Sequence, residues 1–205
     1  MRGRVVRGRR VMILALALTI ASPGRAQSPA ASVTAREGDP AGGLSRRERV
    51  AALKTKSVAL LRQGRTDASL PYLRKLHELQ PYDENVRYAL ALALLFPADE
   101  DGTPGEQNRQ RLAESAGHFE ECVRLTRGVA ARGPALGLRL FYLGLAHWWL
   151  GNPDQALAQF ELSYQADSNR TDALYNRFAI FEELDRSAEA QVELQRYLKL
   201  AKTAQ

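Results

Sequence analysis

Residues 143–160 read LGLAHWWLGNPDQALAQF. With Leu140 just upstream, Leu143, Gly144 and His147 recur at the i, i+3, i+4, i+7 spacing that lays one stripe along a helix. Gly151 is placed to end that helix, and Asn152-Pro153-Asp154-Gln155 to start another: Asn as N-cap, Pro at the first helical position, Gln closing a capping box. Ala156, Phe160 and Ser163 then face back towards the first stripe. Each helix supplies half a core, so neither is stable alone. Trp148 and Trp149 are neighbours, and neighbours on a helix point about 100° apart. Both cannot sit at the centre of one stripe.

The pattern returns 34 residues later, with Leu174, Phe178 and Phe181, a turn at Asp185-Arg186-Ser187, then Ala190, Leu194 and Tyr197. An earlier copy runs Leu53, Ser57, Leu60, Gly64, then Ser69, Leu73, Leu76 and a closing Pro81. Another follows it by the same period with Leu90, Ala91 and Leu94, and its second helix carries Ser115, Phe119, Cys122 and Leu125. Val, Ile and Thr are sparse and no run alternates with period two, so every signal is helical. The period breaks once: Ala91 to Gly144 spans 53 residues, 19 more than the repeat. Twelve of these fall between Phe96 and Ser115, where acidic residues, Pro and Gly predict a surface loop or an N-terminal helix extension. The other seven fall between Leu125 and Leu140. Pro71 implies that its helix frays or starts late.

This spacing resembles the tetratricopeptide repeat family, with small residues where two antiparallel helices cross and a large one plugging between them. The resemblance covers roughly residues 48–202, and LGLAHWWLGNPDQALAQFELS carries it best. It implies an all-α, right-handed α-solenoid of about four helix pairs, near 48–81, 84–126 with an inserted loop at 97–108, 134–167 and 170–202, within a domain spanning 45–204. Arg87 and Arg177 stand where the family has an apolar residue, and Ser168 where it often has Pro.

Upstream, the chain changes character. The 205 residues carry a formal charge of +6, but six of the 29 basic residues lie within positions 1–26, which contain no Asp or Glu. The remainder holds 23 basic and 23 acidic residues, so the basic excess argues for no nucleic-acid partner. MRGRVVRGRR followed by the apolar VMILALALTIA and SPGRAQ has the anatomy of an export signal over 1–26. Its 11-residue apolar run is shorter than the roughly 20 needed to span a bilayer. A general secretory signal is expected, with the twin-arginine route as alternative on Arg9-Arg10. Cleavage is placed after Ala26, or after Ala21 as second choice. Residues 27–44, rich in Ala, Ser, Gly and Pro, read as a flexible leader. Ser45-Arg-Arg-Glu48 then forms a capping box that begins the ordered part. No Cys follows the cleavage site, so no lipid anchor of that type is expected, and the mature protein is placed in a bacterial periplasm or cell envelope.

The chemistry-bearing residues are few. His77, His118 and His147 have no partner at ligand spacing, so no metal and no cofactor is expected. His147 reads as a hydrogen-bonded core histidine, His118 as lying on a solvent-grazing turn, and His77 as part of a polar helix face. Cys122, the only cysteine, falls where two helices touch and reads as an inert packing thiol. Glu120-Glu121 and Glu182-Glu183 diverge on a helix and read as solvated faces. No phosphate loop or catalytic triad is legible, and no enzyme activity is expected.

What remains is a surface. The resemblance implies that the first helix of each pair lines a concave groove. Projected onto this chain, the groove holds Tyr88, Leu92, Leu95 and Phe96, then Phe141, Leu145, Trp148 and Trp149, then Tyr175. Lys54, Val58, Leu61, Leu138, Ala179, Glu182 and Glu183 flank them. The family's clamp for a C-terminal carboxylate is not supported, because Val58 stands where its Asn would be. An apolar groove centre favours an apolar or amphipathic protein segment as partner. Trp148 continues the Leu138, Phe141, Leu145 line and is expected to face the groove, while the other tryptophan seals the stack. The alternative is a structural or homo-oligomerising subunit of an envelope assembly.

Overall fold

The computed structural model describes residues 43–96 and 106–203. The expected signal, almost all of the leader and most of the inserted loop lie outside the described residues. Among the described residues the fold is all-α. Its helices are α1 (Arg46–Arg62), α2 (Thr66–Leu79), α3 (Glu84–Leu95), α4 (Glu106–Val129), α5 (Pro134–Leu150), α6 (Pro153–Ala166), α7 (Thr171–Glu183) and α8 (Ser187–Thr203). Each packs against its neighbours in chain order, giving four antiparallel pairs stacked side by side. The extra residues of the second copy lengthen α4, which is 24 residues long against 14 for α2 and for α6.

Local chemistry sets the boundaries. Ser45 opens α1 through the full capping box: its Oγ accepts from the Glu48 amide at 3.3 Å, and its own amide donates to Glu48 Oε2 at 2.7 Å. Asp83 opens α3 by accepting from the amides of Asn85 and Val86. Gly151 closes α5 in the left-handed region at φ 82°, as the sequence requires of it. The box expected at Asn152 does not form. Its amide is already spent on the last turn of α5, donating to the His147 carbonyl at 2.9 Å, and α6 starts on Pro153 without a side-chain cap. Nor does Pro71 delay its helix, since α2 begins at Thr66. Pro71 lies on the solvent side, where water can satisfy the carbonyl that its ring leaves without a donor.

The core runs between the two helix layers. At the α5–α6 crossing Phe160 plugs against Gly144, and a Cβ on that glycine would stand 2.9 Å from the ring. Gly137 is as tight, against Asp167 and the Ser163 carbonyl, and Ser163 Oγ donates to its carbonyl at 2.7 Å. Ser115 makes the equivalent tie between α4 and α3, donating to the Ala91 carbonyl at 2.8 Å. Buried small hydroxyls thus sit where backbones come too close for larger side chains, each with its polar group satisfied.

Ion pairs stitch successive pairs together in both layers. Lys54 on α1 reaches Asp83 at 3.1 Å, and Arg139 on α5 reaches Glu84 at 2.6 Å, so adjacent first helices are bridged. In the other layer Arg74 and Arg111 join α2 to α4 through Glu114 and Asp67, and Arg196 on α8 joins Glu161 on α6.

Candidate interaction surface

Tyr88, Leu92 and Leu95 follow one another at helical spacing on α3, with Phe96 at its C-cap, as Phe141, Leu145, Trp148 and Trp149 do on α5, and Tyr175 lies on α7. The rings of α3 and α5 pack on each other. Tyr88 stands 5.9 Å from Phe119 and 6.2 Å from Tyr142, both edge-on, with the Arg139 guanidinium 5.2 Å from its ring centre. Phe96 meets Tyr142 at 6.0 Å and Trp149 at 5.6 Å. Phe141 lies 5.4 Å from Phe160 and carries Arg170 at 4.4 Å from its ring centre. Edge-to-face contacts of this kind add about 0.5–1.5 kcal/mol each beyond area burial. Burial raises the Tyr142 phenol above its ordinary value and pushes that of Tyr88 well above it, so both rings stay neutral at any physiological pH.

Tyr142 is the hub that the groove projection left out. It stacks on Phe119 at 5.8 Å and touches Tyr88, Phe96 and Phe141 as well. Its adjacency to the projected line was visible in the sequence, but its contact with Phe119 depends on how α4 packs.

Three projected groove residues are core. Leu95 is 0% exposed, Leu145 2% and Trp148 6%. The expectation that Trp148 is the tryptophan turned to the groove is therefore corrected: Trp148 is buried, and Trp149, packed on Phe96, is half-buried. The reason is packing, because bulky aromatics on α3 and α5 close over the positions between them. Tyr88, Leu92, Phe96, Phe141, Trp149 and Tyr175 keep part of their surface in solvent. Val58 and Leu61 on α1, and Leu138 and Ala179 beyond the strip, are half-buried as well, so a partly exposed apolar row runs along the first helices, interrupted by the buried Leu95, Leu145 and Trp148.

The polar groups form no convergent reaction centre. His77 and His118 meet edge-on at 5.3 Å between α2 and α4, a juxtaposition that residues 41 positions apart do not advertise. His118 lies half-buried inside α4 rather than grazing solvent, with Arg87 Nη1 3.4 Å from its Nδ1 and Glu114 3.7 Å from its Nε2. Burial is the leading cause that lowers both imidazole pKa values. His147 is buried too, but its Nδ1 has no hydrogen-bond partner, which corrects the expected hydrogen-bonded core histidine at that nitrogen. Cys122 is fully buried, and desolvation pushes its thiol up to about 12. Among the described residues no group of three or more His, Cys, Asp or Glu could hold a metal ion. Within the same residues no helix is long and apolar enough to cross a membrane.

No protein-family model and no curated protein matches this chain. Among solved structures it is similar to MamA from Desulfovibrio magneticus RS-1, at 13% identity and a TM-score of 0.35, over 76% of this chain and 97% of that one. A MamA RS-1 double mutant gives 14% identity and a TM-score of 0.37, over 78% and 98% of the two chains. PilF of Pseudomonas aeruginosa gives 20% and 0.38, over 75% and 77%. Likenesses this distant carry no argument about function. The fold rests on the chain's own geometry: four antiparallel helix pairs, a 34-residue period and a glycine crossing plugged by phenylalanine make it a tetratricopeptide-like α-solenoid.

Proposed function

We propose that the protein is a non-catalytic interaction module that holds an apolar or amphipathic segment of a protein partner against the first-helix face. The observation that carries this reading is the row of half-buried aromatic and aliphatic side chains along the first helices, from Tyr88 and Leu92 on α3 through Phe141 and Trp149 on α5 to Tyr175 on α7. Each large apolar side chain that a partner fully buries there contributes about 1.5–3 kcal/mol, so several anchors together must offset an association cost of roughly 4–15 kcal/mol. Export to a bacterial periplasm or cell envelope is part of the proposal, resting on the signal-like segment at 1–26.

Photo-crosslinking in cells expressing the full chain tests it. A photoreactive residue at Leu92 or Leu138 should give a discrete adduct with a protein partner, and one at the exposed Val129, away from this face, should not. Equal adducts at all three positions would place the contact elsewhere.

A further inference from the structure

The two ends of the solenoid are unlike its middle. Among the described residues, five of the six exposed large hydrophobics lie at the ends: Leu44 and Tyr82 beside α1, and Leu184, Val192 and Leu198 on the α7–α8 side. Tyr82 is 92% exposed and Val192 60%. A solenoid end that faces only water is normally polar on its outer side. α1 and the end of α7 carry opposite charge. α1 holds six basic residues against one acidic, and Arg47, Arg49, Lys56 and Arg62 are exposed with no ion-pair partner among the described residues. At the end of α7, Glu182, Glu183 and Asp185 are exposed and equally unpartnered among the described residues, while α8 carries the exposed Lys199.

The repeat register says how such ends would meet. Lys56 occupies the repeat position held by Leu90, Leu143 and Arg177 in the later copies. Inside the stack that position packs inward: Leu90 and Leu143 are buried, and Arg177 reaches back to α6, donating to the Leu157 carbonyl at 2.7 Å and lying 3.4 Å from Glu161. Only in α1 is it exposed, because no helix pair precedes it among the described residues. One period after Leu157 and Glu161 come Gln191 and Gln195, which line a shallow depression on α8 with Ala188 and Val192. The facing surface for Lys56 is thus present on the same chain, at its opposite end.

We propose that a second copy of this chain occupies that surface, α1 of one molecule docking on α7 and α8 of the next as a further pair would. Successive first helices run parallel in this stack, so Arg62 at the end of α1 comes beside Glu182 and Glu183 at the end of α7. The same device already works inside the molecule, where Lys54–Asp83 and Arg139–Glu84 bridge adjacent first helices. Two cations, Arg196 and Lys199, line the same depression; Arg196 is held by Glu161 and Glu193, and the attraction is supplied by the α7 carboxylates. Val192 and Leu198 are covered in the contact. Because the joined patches differ, the contact is heterologous and propagates into linear assemblies rather than closed dimers.

Sedimentation velocity on protein purified from cells expressing the full chain tests this. At about 0.01 M salt the average mass should rise with concentration beyond a dimer. It should return to monomer towards about 0.5 M salt, as the screening length falls from ~30 Å to a few ångströms. Arg62→Glu, or Glu182→Lys with Glu183→Lys, should each require at least about tenfold more protein for the same mass. The variant carrying all three changes should associate again, because complementarity is restored. Far-ultraviolet circular dichroism confirms the fold of each. Monomers at every concentration in low salt, an association indifferent to the reversals, or no recovery in the triple variant would overturn the proposal. So would monomers that instead bind vesicles of anionic lipid through α1. None of these outcomes bears on partner crosslinking at Leu92 or Leu138.

Discussion

Arg177 on α7 donates two hydrogen bonds, from Nε at 3.1 Å and Nη2 at 2.8 Å, to a single oxygen of Glu193, a carboxylate on α8 whose residue is 3% exposed. Arg196 meets the same carboxylate at 3.0 Å, and Glu161 on α6 completes the group. A position where the resemblance calls for an apolar residue thus holds a cation that ties three helices together.

Removing that cation strands a buried charge. Arg177→Met should cost about 3 kcal/mol in urea unfolding, the low end for a broken buried pair, because Arg196 remains on Glu193. Replacing both partners, Arg177→Leu with Glu193→Leu, should bring stability back to within about 1 kcal/mol of the parent. A double variant as unstable as the single would show that packing, not the stranded charge, sets the cost.

The α5–α6 crossing has no room for a methyl group. Gly144→Ala puts a carbon 2.9 Å from the Phe160 ring and should cost about 1–3 kcal/mol from overpacking. Gly117→Ala, where an added Cβ meets nothing, should be neutral or slightly stabilising by helix propensity. Both are read from shifts in the denaturation midpoint.

Acidity should loosen the stack in a defined window. His77 and His118 face each other, with Arg87 of α3 3.4 Å from His118 Nδ1 and Arg74 of α2 paired with Glu114, the one carboxylate against His118. Their folded pKa values, and that of His147, lie below the ordinary 6.5, chiefly through burial. The unfolded chain therefore binds protons first. The stability associated with neutral imidazoles is complete above pH 6.5 and is lost as pH falls from there through the folded values. Thermal melts at stepped pH should show this decline, and His118→Gln should flatten it. A second loss belongs below about pH 4.5, where Glu161, held low mainly by its hydrogen bond from Arg196, takes up a proton.

The helices and their partners were legible because a 34-residue period and helical stripes survive any change in side-chain detail. The crossing glycine and the left-handed Gly151 were legible for the same reason, as both answer to backbone geometry. Side-chain direction across the stack was not. Trp148 and Trp149 are one residue apart, and which of them is buried depends on how far α5 rotates against α3, a matter decided by Phe96, Tyr142 and Phe119 together. The same holds for the histidine pair, whose members come from different repeats. Asn152 is the N-cap of α6 but makes no side-chain cap bond: its backbone, at φ −106° and ψ 70°, departs from the extended geometry of a capping residue, and its amide is drawn into the preceding helix.

The central claim is that the partly exposed apolar row of the first helices holds an apolar segment. Amphipathic peptides selected from a random library on the purified protein, and titrated by calorimetry, test it most directly. Leu92→Ala and Tyr175→Ala should each weaken binding at least about tenfold, while Val129→Ala, on an exposed site away from the face, should leave the dissociation constant unchanged. Peptides that bind all three variants as tightly as the parent would contradict the account.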